Sequence, residues 1–248
     1  MPTAALYDIH GNLPALEAVL EELHRSEVDC ILIGGDAVVG PMSKEVLDLL
    51  EKIAIPVYFI KGDCEAAVLA QMVGDDLKKL PPQALISIQW TEKQLLLKQK
   101  QRMKDWPETL QFIIEGIGKV LFCHATPQSR EEIFTSQTSV KKLQPIFEHL
   151  DIDLIVCGHT HMQFDRMVGK TRVINAGSVG MPFGEPGAYW LLLGPVVEFR
   201  KTNYYFTQAA ERVRKTNYPQ AEHFATNNIL HPPTERAMLE LFSMSELK

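Results

Sequence analysis

This sequence has no surplus of basic residues, no long apolar run, few cysteines and no repeats, and each absence removes a class of function. Lys and Arg total 25 against 31 Asp and Glu, a net charge of −6, so the chain carries no basic footprint and long duplex nucleic acid is not an expected partner. No apolar stretch approaches the roughly 18–20 residues that a membrane span requires, so no membrane association is expected. The first residues lead almost directly into an apolar strand, so a cleavable leader is not expected. The four cysteines, Cys30, Cys64, Cys123 and Cys157, lack zinc-site spacing and suit a reduced, cytoplasmic compartment. What remains is a 248-residue chain, 46% hydrophobic and 23% charged, a balance that suits one soluble domain or one domain with a small appendage.

Read in order, the chain alternates strand and helix. Thr3 to Ile9 is an apolar strand, and Asn12 then reads as the N-cap of a helix over 13–26. Cys30 to Asp36 is a second strand, Ser43 can cap the next helix, and Val57 to Ile60 is a third strand after Pro56. This βαβαβ order predicts an α/β fold with a parallel sheet. Residues 64–73 read as helix, and 83–105 as a second helical stretch whose Lys98-Gln99-Lys100-Gln101-Arg102 run is expected to be a solvated face. Three hairpins follow, at 110–124, 163–176 and 188–201, the last expected to close a second sheet, with a helix at about 139–149 and a strand at Leu154–Cys157 between them. From Thr207 the tail reads as helices broken near Pro219 and at Pro232-Pro233.

The residues that carry chemistry stand at the ends of these strands. Cys30 to Ile33 runs into Gly34-Gly35-Asp36, delivering a carboxylate to the carboxyl edge of a parallel sheet, where open α/β sheets place ligands. The same kind of junction supplies Asp8 and His10 in YDIHGN, Asp63 in KGDC, His124 in FCHATP, and His159 and His161 in CGHTH. Each alone could be a turn residue or a surface histidine. Together, these oxygen and nitrogen donors exceed what one metal ion uses and suit two, with Asp36 the natural shared carboxylate. The mixed donor set favours a transition metal over calcium: manganese foremost, with iron, zinc, nickel or cobalt as alternatives. His24, His149, His223 and His231 have no such spacing and read as surface residues.

The order D-x-H, GGD, G-D-C-E, H and GHTH resembles the calcineurin-like metallophosphoesterases, over Thr3 to about Lys201. Gly40-Pro41, Trp90-Thr91, the WPETL run from Trp106 and the NAGSVG run from Asn175 resemble its small bacterial and archaeal branch of phosphodiesterases and diadenosine-tetraphosphatase-like proteins. The resemblance implies a four-layer α/β/β/α sandwich of two mixed sheets with a helical C-terminal tail. It implies one ion on Asp8, His10, Asp36 and His161, and another on Asp36, Asp63, His124 and His159. The implied activity is hydrolysis of phosphodiesters or nucleotide polyphosphate anhydrides by water activated between the ions, with Asp36, Asp63, Cys64 and His124 as catalytic residues. Asn12, Asn175 and Ser178 are expected to frame the pocket or touch substrate.

One departure stands out. The family usually has Asn-His-Asp or Asn-Cys-Asp after the glycine, and this chain has Asp63-Cys64-Glu65. A neutral ligand has become a carboxylate, which keeps open an alternative as a weakly catalytic interaction scaffold, or as a protein or monoester phosphatase. The expected organisation is a metallophosphoesterase domain over 1–206, with a helical insertion at 83–106, and a helical extension over 207–248 packed on it. The expected partner is a phosphate-containing small molecule, with a homodimer or higher homo-oligomer possible.

Overall fold

In the computed structural model, which describes residues 2–77 and 79–247, the first strand, Thr3–Leu6 (β1), turns Ala4 and Leu6 to one face and Ala5 to the other, and all three are fully buried. A strand buried on both faces needs cover on both, and the chain supplies helices on one side and a second sheet on the other. After β1 come α1 (Leu13–Leu23), β2 (Cys30–Ile33), α2 (Ser43–Leu50) and β3 (Val57–Phe59), and the three strands pair in parallel. Asn12 caps α1 as expected, its side chain accepting from the Ala15 amide. Helices α3 (Asp63–Val73), α4 (Pro82–Gln94) and α5 (Leu97–Lys104) lead to the hairpin of β4 (Thr109–Ile114) and β5 (Gly118–Cys123). Then follow α6 (Val140–Phe147), β6 (Leu154–Cys157), the hairpin of β7 (Phe164–Val168) and β8 (Thr171–Asn175), and the hairpin of β9 (Ala188–Leu193) and β10 (Val197–Thr202).

The strands form two mixed sheets, ordered β10-β9-β1-β2-β3 and β4-β5-β6-β8-β7. Three buried clusters separate four layers. Leu6, Ile31 and Ile33 meet Leu16, Val46 and Leu50 of the covering helices. Tyr7, Leu32, Phe122, Val156 and Ile174 fill the space between the sheets. Leu121, Ile155 and Val173 meet Leu143 and Phe147 of α6. This is the α/β/β/α sandwich.

Three sequence expectations need correcting. The last hairpin does not close the second sheet; β9 lies antiparallel to β1, with Thr3 opposite Leu193, and extends the first sheet. Its strand is apolar on both faces, Trp190 reaching the helix-side core and Leu191 the space between sheets, so only the edge of β1 can bury it. The stretch 83–105 is two helices, broken where Leu95 and Leu96 turn extended and Leu95 is buried. Ser43 is not a cap: it begins α2 after Met42, and its Oγ instead donates to the Gly40 carbonyl and accepts from the Gly40 amide.

The break at Leu95 also changes the basic run. Gln99 is buried, donating to the Lys44 carbonyl and to Asp48, while Lys98 and Arg102 pair with Glu51 and Lys100 pairs with Glu92. The run ties α5 to α2 and α4 rather than simply facing water. In the tail, α7 (Phe206–Arg214) and α8 (Ala221–Phe224) bring Ala209, Ala210, Val213 and Phe224 into the helix-side core. Helix α8 continues as a π-helical segment, Ala225–Leu230, before α9 (Glu235–Ser243). Among the described residues no helix is long and apolar enough to cross a membrane.

Candidate metal centre

The loops after β1, β2, β5 and β6, with the first residue of α3, carry the seven predicted ligands to one end of the sandwich, where they meet as two clusters joined by Asp36. In one, His161 Nε2 lies 3.5 Å from Asp8 Oδ1 and 3.2 Å from His10 Nε2. In the other, Asp63 Oδ1 lies 3.0 Å from His124 Nε2 and 3.3 Å from His159 Nδ1. Asp36 spans them, with Oδ2 3.7 Å from His10 Nε2 and Oδ1 3.5 Å from His124 Nε2.

Local backbone conformation aims these side chains. Among the described residues six non-glycine residues have positive φ, and five are the predicted ligands Asp8, His10, Asp36, His159 and His161; the sixth is Val39. Such conformations cost roughly 1–3 kcal/mol each, so their concentration at one spot marks a functional site that the surrounding bonds must sustain. The NAGSVG run supplies several of those bonds. Ser178 Oγ donates to the Asp8 carbonyl at 2.7 Å, and Asn175 Nδ2 donates to the Gly158 carbonyl at 2.6 Å and to Thr160 Oγ1 at 3.0 Å. Gly180 approaches so closely that an added Cβ would lie 1.8 Å from the Ile9 carbonyl oxygen, so no other residue fits there.

Asn12, Asn175 and Ser178 are buried, with their polar atoms engaged by the protein. Their bonds support a framing role. Asn175→Ala should therefore leave the fold standing while lowering metal affinity about 10–100-fold, the usual cost of losing a ligand's support, as measured by equilibrium dialysis.

The donor chemistry fits cations. His124 Nδ1 donates to the Gly34 carbonyl at 2.9 Å and His161 Nδ1 to the Met181 carbonyl at 2.7 Å, which turns both Nε2 lone pairs inward. His161 Nε2 then faces His10 Nε2, while His124 Nε2 faces the Asp63 carboxylate oxygen, where in the absence of a cation a shared proton joins them. Asp8 Oδ1 is buried with no hydrogen-bond partner among the described residues, while Asp8 Oδ2 accepts from the His159 amide. Buried oxygens and lone pairs left in this way call for positive charge between them.

Titration tells the same story without ions. Burial opposes charge on His124, yet Asp36 and Asp63 raise its affinity for a proton well above the imidazole range. Burial and the neighbouring Asp63 charge raise Asp36 well above the usual carboxylate range. Asp63 resists burial through hydrogen bonds with His124 and His159 and is held well below that range. Asp8 is likewise held low, burial being overcome by His161. His10, buried and next to His161, falls to about 3 and stays a neutral donor. Burial, Asp36 and Asp63 push the Cys64 thiol well up, with its Sγ 3.9 Å from His10 Nδ1.

Glu65 is the residue the sequence reading passed over. It is fully buried, and its carboxylate accepts from the amides of Asp36 (2.8 Å), Gly62 (2.8 Å), Ala37 (2.9 Å) and Val38 (3.3 Å). It therefore pins the turn carrying Asp36 to the start of α3. A glutamate three residues after the glycine opening a helix is a capping-box pattern, a signal present in the sequence.

A four-layer sandwich of two mixed sheets, with aspartate and histidine clusters gathered at one end, defines the class of metallophosphoesterases. The chain belongs to the calcineurin-like phosphoesterase superfamily, whose domain model matches residues 1–193. That family is metal-dependent, and the aspartate and histidine clusters could hold metal. The chain is 26% identical over 237 residues to the uncharacterized protein MJ0912 of Methanocaldococcus jannaschii, covering 88% of this chain and 93% of that one. It is 28% identical over 195 residues to phosphodiesterase YfcE of Escherichia coli K12, covering 75% and 83%. Among solved structures, a metallophosphoesterase from Sphaerobacter thermophilus superposes with a TM-score of 0.70 at 25% identity, over 91% of this chain and 97% of that one. The hypothetical protein PH1004 of Pyrococcus horikoshii OT3 shares the fold over 94% of this chain and 99% of its own, with a TM-score of 0.78 and 21% identity.

Proposed function

We propose that this chain is a dinuclear metal-dependent phosphoesterase that hydrolyses phosphodiesters or nucleotide polyphosphate anhydrides. Asp8, His10, Asp36 and His161 would hold one divalent ion, and Asp36, Asp63, His124 and His159 the other. The observation that carries this reading is the Asp36 carboxylate, with one oxygen toward each cluster. Bound there, the ions supply Lewis-acid polarisation of the phosphoryl oxygens and activation of the attacking water. The phosphodiesterase among the relatives supports the diester class.

The chain's own residues tune this chemistry. The Cys64 thiol stays protonated and is a weak proton donor beside an imidazole, so substrates with an acidic leaving group are favoured. On the His124 side a polar cleft of about 430 Å³ carries Arg130, paired with Glu108 at 2.5 Å. Arg130 would have to leave Glu108 to meet a second phosphate. Asp63 adds a negative charge where the family usually has a neutral side chain, and that charge opposes a monoester dianion more than a diester monoanion.

The test is metal content of the purified protein, followed by turnover of bis(p-nitrophenyl) phosphate with added manganese. Protein that takes up no metal and turns nothing over would end the reading. Asp63→Asn is the accompanying prediction. A unit charge a few ångströms from the phosphoryl group is worth on the order of a few kcal/mol at an effective dielectric of about 20. The Asp63 side chain is 36% exposed, so water takes back part of it. The variant should bind its metal more weakly and raise the ratio of monoester to diester turnover about tenfold.

A further inference from the structure

On the His10 side of the centre lies a second cavity, of about 230 Å³, unlike the polar cleft beside His124. His10 and Cys64 line it from the centre, Ser87 from α4, and Tyr218, Phe224 and Asn228 from the tail. It is smaller than the roughly 300–1,000 Å³ of a site for a whole drug-sized ligand, so it takes one ring system. No lysine, arginine, aspartate or glutamate lines it among the described residues, so it is not built for a phosphate.

Its polar lining combines the imidazoles of His10 and His223 and the hydroxyls of Ser87 and Tyr218 with carboxamides, and the carboxamides are the groups left free to read a ligand. Asn228 is only 8% exposed, and its side chain has no hydrogen-bond partner among the described residues. The amide is open to the cavity rather than sealed in the core, so its donor and acceptor are free for whatever enters. Asn228 sits in the π-helical segment Ala225–Leu230, a backbone form that is rare and concentrated at functional sites. Gln220 donates its amide hydrogens to the Gln83 carbonyl and to Ser87 Oγ, both at 2.7 Å, which leaves its carboxamide oxygen uncommitted. Tyr218 also donates to Ser87 Oγ, at 2.8 Å, so the wall formed by α4 and the tail is fixed in place. Phe224 and Met181 add apolar surface.

We propose that this cavity is a substrate subsite that takes a nucleobase, read by the carboxamides of Asn228 and Gln220, while the phosphate lies at the metal centre. An uncharged ring with hydrogen-bonding edges and apolar faces is what such a lining complements; a simple aryl or alkyl group would leave the amides unpaired. The position of the phosphate rests on the phosphoesterase reading, whereas recognition of the base does not. The tail, beyond the 1–193 matched by the family model, is thereby the part of the chain that selects the substrate.

The full-length protein would be titrated by calorimetry with adenosine, guanosine, cytidine and uridine, none of which carries a phosphate. At least one should bind. Asn228→Leu should weaken that binding about tenfold, the worth of one hydrogen bond to an amide. Ala84→Trp, from the opposite wall on α4, should block the cavity and abolish nucleoside binding, giving a second variant if the first does not fold. If no nucleoside binds, or if both variants bind it as the wild type does, the subsite is overturned, even with hydrolysis intact. If nucleosides bind and both variants lose them while no phosphoester is turned over, the subsite stands and the hydrolytic reading falls.

Discussion

Asp36→Asn should strip the centre of both metals and lower phosphodiester turnover by on the order of a thousandfold, well beyond the 10–100-fold typical of a lost supporting contact. The reason is geometric. Asp36 is the side chain whose two oxygens face both clusters, at 3.7 Å from His10 and 3.5 Å from His124. An asparagine there keeps the shape and removes the shared charge, leaving one oxygen and one amide nitrogen that repels cations. Elemental analysis would separate this from the loss of a terminal donor: His10→Ala should forfeit one ion and keep the other. Full metal content and most of its activity in Asp36→Asn would refute the shared assignment.

Glu65→Ala should cost at least about 3 kcal/mol of stability, read as a lower denaturation midpoint at unchanged slope. Four amides, those of Asp36, Ala37, Val38 and Gly62, converge on its carboxylate in a fully buried site. Removing the acceptor leaves donors that water cannot fully reach, and each buried unsatisfied donor costs about 1–3 kcal/mol. Glu65→Gln is the informative partner, because it keeps the volume but turns an N–H toward those N–H groups, so it should rescue only part of the loss. Equal stability of the alanine variant and the wild type would show that the turn carries its own weight.

The difference between these two residues explains what the sequence made legible. Asp36, and the aspartates and histidines near it, stand at strand ends, and a strand end has a fixed place in a parallel sheet, so one-dimensional spacing was enough to gather them. Glu65 is inside a helix, and although the capping-box spacing announces its bond to the Gly62 amide, its other three partners are backbone amides from a turn 27 to 29 residues earlier, which no side-chain pattern displays. The β9–β10 hairpin was visible as a hairpin, but its sheet was not, because pairing with β1 is decided by which edge remains open. The break at Leu95-Leu96 was hidden because leucine favours helix; burial of Leu95 and the Gln99 bonds to α2 overrode that preference. The π-helical turn around Asn228 has no sequence signature, so the cavity it lines was out of reach.

The pairing of β1 with β9 has a consequence for how the molecule is made. Thr3 leaves the ribosome 190 residues ahead of its antiparallel neighbour Leu193. Until Leu193 follows, one edge of β1 waits with its amides and carbonyls unpaired, beside a half-built sheet of β1, β2 and β3. Such long-range closure slows folding and leaves a nascent chain open to wrong strand partners, so the first sheet is completed late and the second, β4 to β8, can form before it.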